Sequence, residues 1–375
     1  MITFRSNSKD PLHIQGAERI RKYIARQRLR QGDALPPVKE LCDYLGLSYV
    51  TVHKALAVLA RKGLVQPIRG KGTFVTGRGG AGQGPSQIGL VSVGAHASML
   101  QQGYRLEMFR GIIETAGDQH VDVRMFSLKN PADRLSSQEL RQMEIDGLLV
   151  MELTDPALMK RFVRSGVPVV VADSCLPDIP LNYVVCDNEG AATRSVKYLV
   201  EMGHRRIHYV GGATRHPVTN ALVSSWDAEI RRRFYEIAME QAGLVPVCHG
   251  GESGLDKKRV ESLIKTCIRG NNRPTAVVTY DCAVAHQFID GLKQAGISVP
   301  GDLSVVAVAG ELTAEKGYSP LLSHNSFDFH GMGVQALRIL MDRFSDPDMP
   351  MAQAAIHRVG FTFVEGETVA TLRPS

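Results

Sequence analysis

The fold of the first seventy-odd residues is decided by the stretch Leu47-Ser48-Tyr49-Val50-Thr51-Val52-His53-Lys54-Ala55-Leu56. Its apolar side chains recur at helical spacing, which predicts a helix that buries one face, formed by Val52, Ala55, Leu56 and Leu59. Ser48 suits the N-cap because a serine hydroxyl accepts a hydrogen bond from a free N–H of the first turn. The side chains left to face outward are Ser48, Tyr49, Thr51, His53 and Lys54. Short polar and basic side chains at the N-terminal end of a helix suit the major groove of DNA.

Two more helices and a hairpin are predicted around this stretch. The first helix spans Pro11–Arg30 and carries apolar residues near helical spacing, namely Leu12, Ala17, Ile20, Ile24 and Leu29. The second begins at Pro36-Pro37 and ends at Gly46, since proline suits a helix start and glycine a helix end. Two short strands follow, Leu64–Ile68 and Thr73–Thr76, joined by a basic tip of Arg69, Gly70, Lys71 and Gly72. This layout is typical of a small winged helix-turn-helix domain, whose tip contacts the minor groove or the phosphates.

The distribution of charge also indicates a nucleic-acid partner for this region. Residues 1–78 contain 15 Lys and Arg against 5 Asp and Glu, so they carry +10, while the remaining chain carries −4. A small basic module on a slightly acidic body is typical of nucleic-acid binding, although any charge run can also be a solvated helix face. We therefore expect double-stranded DNA as a partner.

Composition argues against several other classes of protein. No apolar run approaches the roughly 18–20 residues that a bilayer span needs, and the polar start, Met1–Asp10, has no secretory signal. The six cysteines form no C-x-x-C pair, which argues against a disulfide framework and against a zinc site. We expect a cytoplasmic protein without a membrane partner.

A Gly-rich stretch over residues 78–86 separates this region from the rest of the chain. Glycine disfavours regular structure, so the stretch is interpreted as a linker between a DNA-binding domain over 1–77 and a larger domain over 87–375. Its G-x-G spacing also occurs in phosphate-binding loops, but it follows no strand–helix unit and leads into a strand.

Strands and helices alternate after the linker, and the alternation runs twice. The first run is Gln87–Val93, Leu106–Ala116, Val121–Phe126, Ser136–Met143, Gly147–Met151, Pro156–Val163 and Val167–Ala172. The second is Ile207–Gly211, Ala228–Glu240, Thr275–Thr279, Ala283–Ala295 and Ser304–Val308. This predicts an α/β fold, a two-lobed core of parallel sheets flanked by helices. Ligands bind beyond the carboxyl ends of such strands, so two lobes form a closable small-molecule cleft.

Residues 11–76 resemble the N-terminal domain of GntR-family bacterial transcription regulators. The resemblance rests on Leu35-Pro36-Pro37-Val38-Lys39-Glu40-Leu41-Cys42, on the stretch Leu47–Leu56, and on Gly70-Lys71-Gly72-Thr73-Phe74-Val75. It implies that Lys39, the outward side chains of the third helix and the tip contact DNA. Lys39 and Tyr49 stand where the family usually has arginine. Lysine is less suited than arginine to a bidentate guanine contact and tyrosine cannot make one, so we expect an operator unlike the family's usual one.

Residues 87–375 resemble the effector-binding core of LacI-family regulators, which is similar to periplasmic sugar-binding proteins. The signatures are the runs Val184–Ala191, Met202–Ile207 and Gly296–Val306. A GntR-type head on such a core resembles the arabinose-repressor type of chimera. The resemblance implies effector contacts from Asp173, Trp226, Arg231, Tyr280, Asp281 and Glu311. Trp226 could stack on a sugar ring or lie in the core, and Ala309-Gly310 replaces a ligand-contacting aspartate for which Glu311 could substitute.

No arrangement in the sequence points to catalysis or to a cofactor. There is no nucleophile–base set, and His204 and His208 belong to a signature and to the start of a strand, which argues against a metal pair. The sequence therefore predicts a transcriptional repressor, a homodimer whose operator affinity is controlled by a sugar or a sugar derivative. Two alternatives stay open: a DNA-binding regulator signalled by a partner protein, with a vestigial cleft, and a sugar-binding sensor that does not act on DNA.

Overall fold

The computed structural model divides the chain into two compact units. One is built from Met1–Ser86 with Gln119–Val121 and Met341–Pro350, and the other from the remaining residues. The described residues are 11–27, 29, 32–61, 64–76, 87–93, 103–128, 145–211, 214–215, 222–223, 225–249, 261–265, 273–310, 319–345 and 354–372. We call residues 11–76 the head and residues 87–372 the core. The predicted linker 78–86, the predicted helix Ser136–Met143 and Glu311 lie outside the described residues.

Three helices form most of the head: α1 (Leu12–Arg26), α2 (Val38–Leu45) and α3 (Tyr49–Arg61). The predicted start and end of α2 are confirmed, since Pro37 precedes it and Gly46 ends it in the left-handed conformation, with φ 64°. The first helix ends at Arg26 and not at the predicted Arg30. The Leu29 N–H donates to the Ile24 carbonyl at 3.1 Å, five residues back, and this bond closes the helix.

A small sheet completes the head. The predicted hairpin is confirmed as β1 (Val65–Ile68) and β2 (Gly72–Val75), which pair antiparallel. The connection between α1 and α2 adds a third segment that the sequence did not predict. The Leu35 N–H donates to Thr73 O and the Val75 N–H donates to Asp33 O, both at 2.8 Å. The wing is therefore tied to the helices by backbone hydrogen bonds.

The core of the head contains the apolar face predicted for α3. Val52, Ala55, Leu56 and Leu59 are buried, together with Ile20, Ile24, Leu41 and Leu45 from the other two helices. Leu12 was predicted on the buried face of the first helix but is 52% exposed. It is the first residue of α1. Fully burying one such aliphatic side chain contributes about 1.5–3 kcal/mol.

The second unit is built from alternating strands and helices. Its strands are β3 (Gln87–Val93), β4 (Asp122–Leu128), β5 (Gly147–Met151), β6 (Val169–Ala172), β7 (Asn182–Cys186), β8 (Ile207–Val210), β9 (Thr214–Arg215), β10 (Leu222–Val223), β11 (Val247–His249), β12 (Ala276–Thr279), β13 (Ser304–Gly310), β14 (Ser323–Phe327), β15 (Ile356–Val359) and β16 (Phe361–Val364). Its helices are α4 (Gly103–Asp118), α5 (Pro156–Ser165), α6 (Asn188–Glu201), α7 (Trp226–Gln241), α8 (Cys282–Gln294) and α9 (Phe329–Ser345).

Two six-stranded sheets define two lobes, as predicted. The first-lobe sheet has the order β15-β7-β6-β5-β3-β4 and is parallel throughout. The second-lobe sheet has the order β11-β8-β12-β13-β14-β16 and is parallel except for β16, which pairs antiparallel with β14. Strands β9 and β10 form a separate two-stranded sheet. No helix in the described part of the chain is long and apolar enough to cross a membrane.

The chain crosses between the lobes at three places. It leaves the first lobe after β7 to form α6, returns after β14 to form α9, and crosses again at Gly360 between β15 and β16. Two of the crossings are bonded together, because the Asp187 N–H donates to Val359 O at 2.9 Å. A few adjacent connections between two rigid lobes are the arrangement that permits hinge closure.

No element was predicted after Val308, and the reason is visible in β14. This strand is Ser-His-Asn-Ser-Phe, yet all five residues are buried. Asn325 Nδ2 donates to Val308 O and to Ser195 Oγ, both at 2.9 Å. Internal hydrogen bonds satisfy part of the polar groups, while His324 Nε2 and Asn325 Oδ1 have no partner among the described residues. The strand is thus buried without the apolar pattern that would have predicted it.

Candidate functional site

The N-terminal end of α3 is held by the predicted cap. The Thr51 N–H donates to Ser48 Oγ at 3.3 Å, and the hydroxyl oxygens of Ser48 and Thr51 lie 2.8 Å apart. Both hydroxyls are thus engaged in capping the helix, which fixes the direction in which its first turn presents other side chains.

The predicted outward side chains of α3 reach solvent to different degrees. Tyr49 is 58% exposed, and its ring lies 5.2 Å from the ring of His53. His53 and Lys54 are exposed, Thr51 is half-buried, and Lys39 on α2 is exposed. The structure therefore exposes an aromatic ring, an imidazole and ammonium groups on the head.

The wing tip has the predicted form, a tight exposed turn with two basic side chains. The Lys71 N–H donates to Ile68 O at 3.0 Å, and Arg69 and Lys71 are exposed. Gly70 and Gly72 have φ of 77° and 114°, conformations that other residues rarely adopt. The glycines are required by the turn itself.

Two acidic residues follow neighbouring strands of the first lobe. Glu152 comes directly after β5 and Asp173 directly after β6, and both are in the left-handed conformation, with φ of 53° and 58°. The Glu152 N–H donates to Ala172 O at 3.0 Å, so the two residues lie side by side at the carboxyl edge of the sheet. This is the edge at which parallel sheets bind ligands.

Glu152 and Asp173 differ in their partners. Glu152 accepts two hydrogen bonds from Arg105, one of them from Nε at 2.5 Å. The Asp173 carboxylate has no hydrogen-bond or ion-pair partner within the part of the chain that the structure describes. Burial and the carboxylates of Glu152 and Asp227 raise its pKa, and the Arg231 and Arg105 guanidiniums oppose this. These causes come from both lobes, so the edges face each other across one cleft.

Arg231 on α7 is the centre of the polar contacts on the second-lobe side of the cleft. Its Nε donates to Asn188 Oδ1 at 2.7 Å, and its Nη1 donates to the Tyr280 carbonyl at 3.2 Å. Its Nη2 lies 3.5 Å from Asp227 Oδ2, and the guanidinium carbon lies 4.4 Å from the centre of the Tyr280 ring. The Tyr280 hydroxyl donates to Asp227. Arg231 therefore organises the predicted Tyr280 and two residues that the sequence did not single out.

Asp281 and Trp226 have structural contacts of their own. Asp281 caps α8, because its Oδ1 accepts from the Val284 N–H at 2.7 Å. Trp226 is half-buried and packs against the hydrophobic cluster of the first lobe, although α7 belongs to the second. The tryptophan thus joins the two lobes beside the cleft.

The end of β13 offers no polar side chain to the cleft. Ala309 is buried, and a Cβ at Gly310 would overlap Cys282 Sγ and the His324 ring. Glycine is therefore required at this position by packing.

His204 and His208 do not act together. His204 contacts Thr275 Oγ1 and Ala370 O, both at 3.0 Å, while His208 Nδ1 lies 2.8 Å from His249 Nε2. Within the described residues no group of three or more metal-binding side chains occurs.

Four cleft residues were missed by the sequence reading: Arg105, Glu152, Asn188 and Asp227. Glu152 carried a usable signal, since it follows a predicted strand as Asp173 does. Asp227 carried another, since it precedes Arg231 by four residues on a predicted helix. Arg105 carried none, because the predicted helix began at Leu106 while α4 begins at Gly103.

Comparison with known proteins confirms both resemblances. Residues 15–75 match the profile of bacterial regulatory proteins of the gntR family, and residues 196–369 match that of the periplasmic binding protein-like domain. The chain is 22% identical, over 93% of its length, to 95% of the arabinose metabolism transcriptional repressor of Geobacillus stearothermophilus. Over 65 residues, 17% of the chain, it is 46% identical to 27% of the mannosyl-D-glycerate transport/metabolism system repressor MngR of Escherichia coli (strain K12).

A solved structure supports the fold of the core. The sucrose-bound LacI family transcriptional regulator CCPA of Weissella paramesenteroides matches with a TM-score of 0.60 and 20% identity, over 76% of this chain and 100% of that one. At this identity the likeness concerns the fold, which is the two-lobed core described above.

Proposed function

Because this chain joins a gntR-family head to a periplasmic binding protein-like core, we propose that it is a DNA-binding transcriptional repressor controlled by a small molecule. The observation that carries the proposal is the joining of a basic winged helix-turn-helix, with α3 exposed, to a two-lobed cleft. The two relatives and the solved structure reported above are named as repressors or regulators and not as enzymes.

The head contacts DNA with the two surfaces described above. Helix α3 enters the major groove with Tyr49, His53 and Lys54, Ser48 and Thr51 position its first turn, and Lys39 contacts the adjacent backbone. Arg69 and Lys71 on the wing neutralise phosphate or enter the minor groove, while Gly70 and Gly72 shape the tip.

One head makes few base contacts, so a homodimer on a near-palindromic operator supplies useful affinity. The proposed domain boundaries are 1–77 and 87–375, with the linker between them. The DNA-binding role implies a cytoplasmic protein.

The charges in the cleft point to a ligand without an anionic group. Both arginines are already bonded to the protein, Arg105 to Glu152 and Arg231 to Asn188, Tyr280 and Asp227. Among the described residues, a phosphate would approach the carboxylates of Glu152, Asp173 and Asp227 without a free guanidinium to offset them. Asp173 retains acceptor capacity for hydroxyl groups, so a sugar or sugar derivative without phosphate fits best.

Ligand binding would act through the three crossings between the lobes. A ligand that contacts both edges of the cleft favours the closed arrangement of the lobes, and it can shift the equilibrium only by its difference in affinity for the two arrangements. The closed core lowers operator affinity because it restrains the two heads of the dimer in a different arrangement from that of the open core.

A binding experiment on genomic DNA fragments tests the DNA-binding role. We expect a sequence-preferring complex whose affinity falls as salt is raised. Lys71→Ala should reduce by about one the slope of log affinity against log salt concentration. Lys160→Ala, at an exposed lysine of the first lobe, should leave it unchanged. A protein without sequence preference would support the alternative of a sensor that does not act on DNA.

A thermal-shift screen of neutral sugars, amino sugars and sugar phosphates tests the cleft. A ligand at about 100 times its Kd adds about 2.7 kcal/mol of stability. Asp173→Asn should abolish this shift and keep DNA binding, while Asp178→Asn, at an exposed aspartate of the same lobe, should keep both. Glu311 is tested in the same way with Glu311→Gln.

A screen without any hit, in a protein that binds DNA, would favour the second alternative, a regulator signalled by a partner protein. The apolar Ala309-Gly310 at the end of β13 is the observation that supports this alternative. Pull-down of a partner from the source cell by the full-length protein then distinguishes a vestigial cleft from an untested ligand.

A further inference from the structure

The most exposed side chain at the start of α3 is apolar. Val50 is 62% exposed, which exceeds the 58% of Tyr49 beside it. It belongs to the first turn of the helix that we propose for the major groove. The outward roles predicted for this helix belong to polar side chains, and none was predicted for Val50.

Helical geometry places Val50 at the middle of the outer face. Successive residues turn by about 100°, so the buried Leu59 lies about 180° from Val50. His53, Lys54 and Ala57 lie within about 60° of Val50 and are all exposed. Val50 is therefore the first residue of the outward stripe, on the side of α3 opposite the core of the head.

The fold of the head does not require valine at this position. A β-branched side chain is a poorer helix former than alanine because the helix restricts its rotamers. Because Val50 is 62% exposed, burial within the head offsets little of this loss in helix stability. The reason for an apolar side chain must then lie in what the stripe contacts.

We propose that Val50 determines sequence specificity by packing against the C5-methyl group of a thymine in each half-site of the operator; this rests on the proposed function. The thymine methyl is the apolar group that base pairs present in the major groove. The partner of this stripe is DNA and not an apolar protein surface, because the stripe includes Lys54 and residues 1–78 carry a charge of +10.

The experiment begins with the full-length protein and a pool of random double-stranded DNA, from which its binding sequence is selected. Each thymine of the selected site is then replaced by deoxyuridine, which removes the methyl group alone. We expect one thymine in each half-site at which this replacement weakens wild-type binding about four-fold, the value of one buried methyl.

The Val50→Ala variant should bind the thymine operator about four-fold more weakly per half-site and should no longer respond to deoxyuridine at that thymine. Its thermal midpoint should be no lower than that of the wild type, since alanine is the better helix former at an exposed position. Val245→Ala is the matched control, since Val245 is an 80% exposed valine of the core, and it should keep full affinity.

Three results would overturn the proposal. Unchanged affinity of the Val50→Ala variant excludes a contact. The same response to deoxyuridine in both proteins means that Val50 acts elsewhere, and equal losses in Val50→Ala and Val245→Ala mean that the effect is not local to α3. In each of these cases the DNA-binding role stands, whereas failure to select any sequence overturns the proposed function as well.

Discussion

Replacing Arg231 with alanine should destabilise the core far more than the same replacement at Arg232, its neighbour on α7. The Arg231 side chain is 9% exposed and bonds to Asn188, Tyr280 and Asp227. The Arg232 side chain is 52% exposed and pairs with Glu236 at 3.0 Å on the surface. The two variants remove the same atoms from adjacent positions of one helix and differ in burial.

The magnitudes follow from that difference. Removing one partner of a buried ion pair costs about 3–5 kcal/mol, because the other charge stays buried without compensation. Asp227 is 28% exposed, so water can reach part of its carboxylate, and we expect a loss of about 3 kcal/mol. An exposed pair four residues apart on a helix contributes about 0.3–0.5 kcal/mol.

Thermal unfolding of the ligand-free protein at pH 7 measures both losses. The midpoint of the core should fall by about 6 °C for Arg231→Ala and by less than about 1 °C for Arg232→Ala. Tyr280→Phe, which removes only the hydroxyl that donates to Asp227, should lie between them. Equal losses in the two arginine variants would refute the buried network as a source of stability.

Three further predictions concern the core. The raised pKa of Asp173 means that its ionisation costs stability at neutral pH, and that this cost disappears as the pH falls through the raised pKa towards 3.8. Asp173→Asn should therefore be more stable than the wild type at pH 7 in urea unfolding, with the difference vanishing near pH 4. Burial and then His249 lower the pKa of His208 to about 4, so unfolding takes up a proton below pH 6.5. The contribution of His208 to wild-type stability should fall by about 3 kcal/mol between pH 6.5 and pH 4, so the His208→Gln variant should depend less on pH in this range than the wild type; equal pH profiles would contradict the assignment. Gly111→Ala should cost about 1–3 kcal/mol, because a Cβ there would overlap a backbone carbonyl of α9, whereas Gly117→Ala on the same helix meets open space and should cost nothing in the same unfolding assay.

Local chemistry in the sequence was sufficient to predict the elements of the head. The cap at Ser48, the helix end at Gly46 and the glycine-rich tip all depend on residues adjacent in the chain, and the structure has each of them. The third segment of the wing was not predictable in this way. It depends on the Leu35 N–H meeting Thr73 O, a bond between residues far apart in the sequence.

The residues of the candidate cleft likewise divide into those predicted from the sequence and those found only in the structure. Asp173 and Arg231 were predicted from the resemblance and from their places after a strand and within a helix, and the structure brings them to one cleft. Their partners were not predicted as a set. Asn188 and Tyr280 come from other elements than Arg231, and their hydrogen bonds to it exist only when the second lobe is folded. Asp227 lies one turn before Arg231 on the same helix.

The sequence by itself determined the class of each part, because helix caps, turns, apolar periodicity and net charge are properties of neighbouring residues or of the whole composition. Only the tertiary structure decided which polar groups are already bonded and which remain available to a partner. The sequence indicates no partners for Arg105 and Arg231, whereas in the fold they are bonded to Glu152 and Asn188. The carboxylate oxygens of Asp173 remain available as acceptors. Val50 is an apolar residue of the stretch Leu47–Leu56 to which no role was assigned from the sequence, and its place on the helix exposes it. Hydrogen bonding and exposure depend on contacts between distant parts of the chain, which spacing along the sequence does not contain.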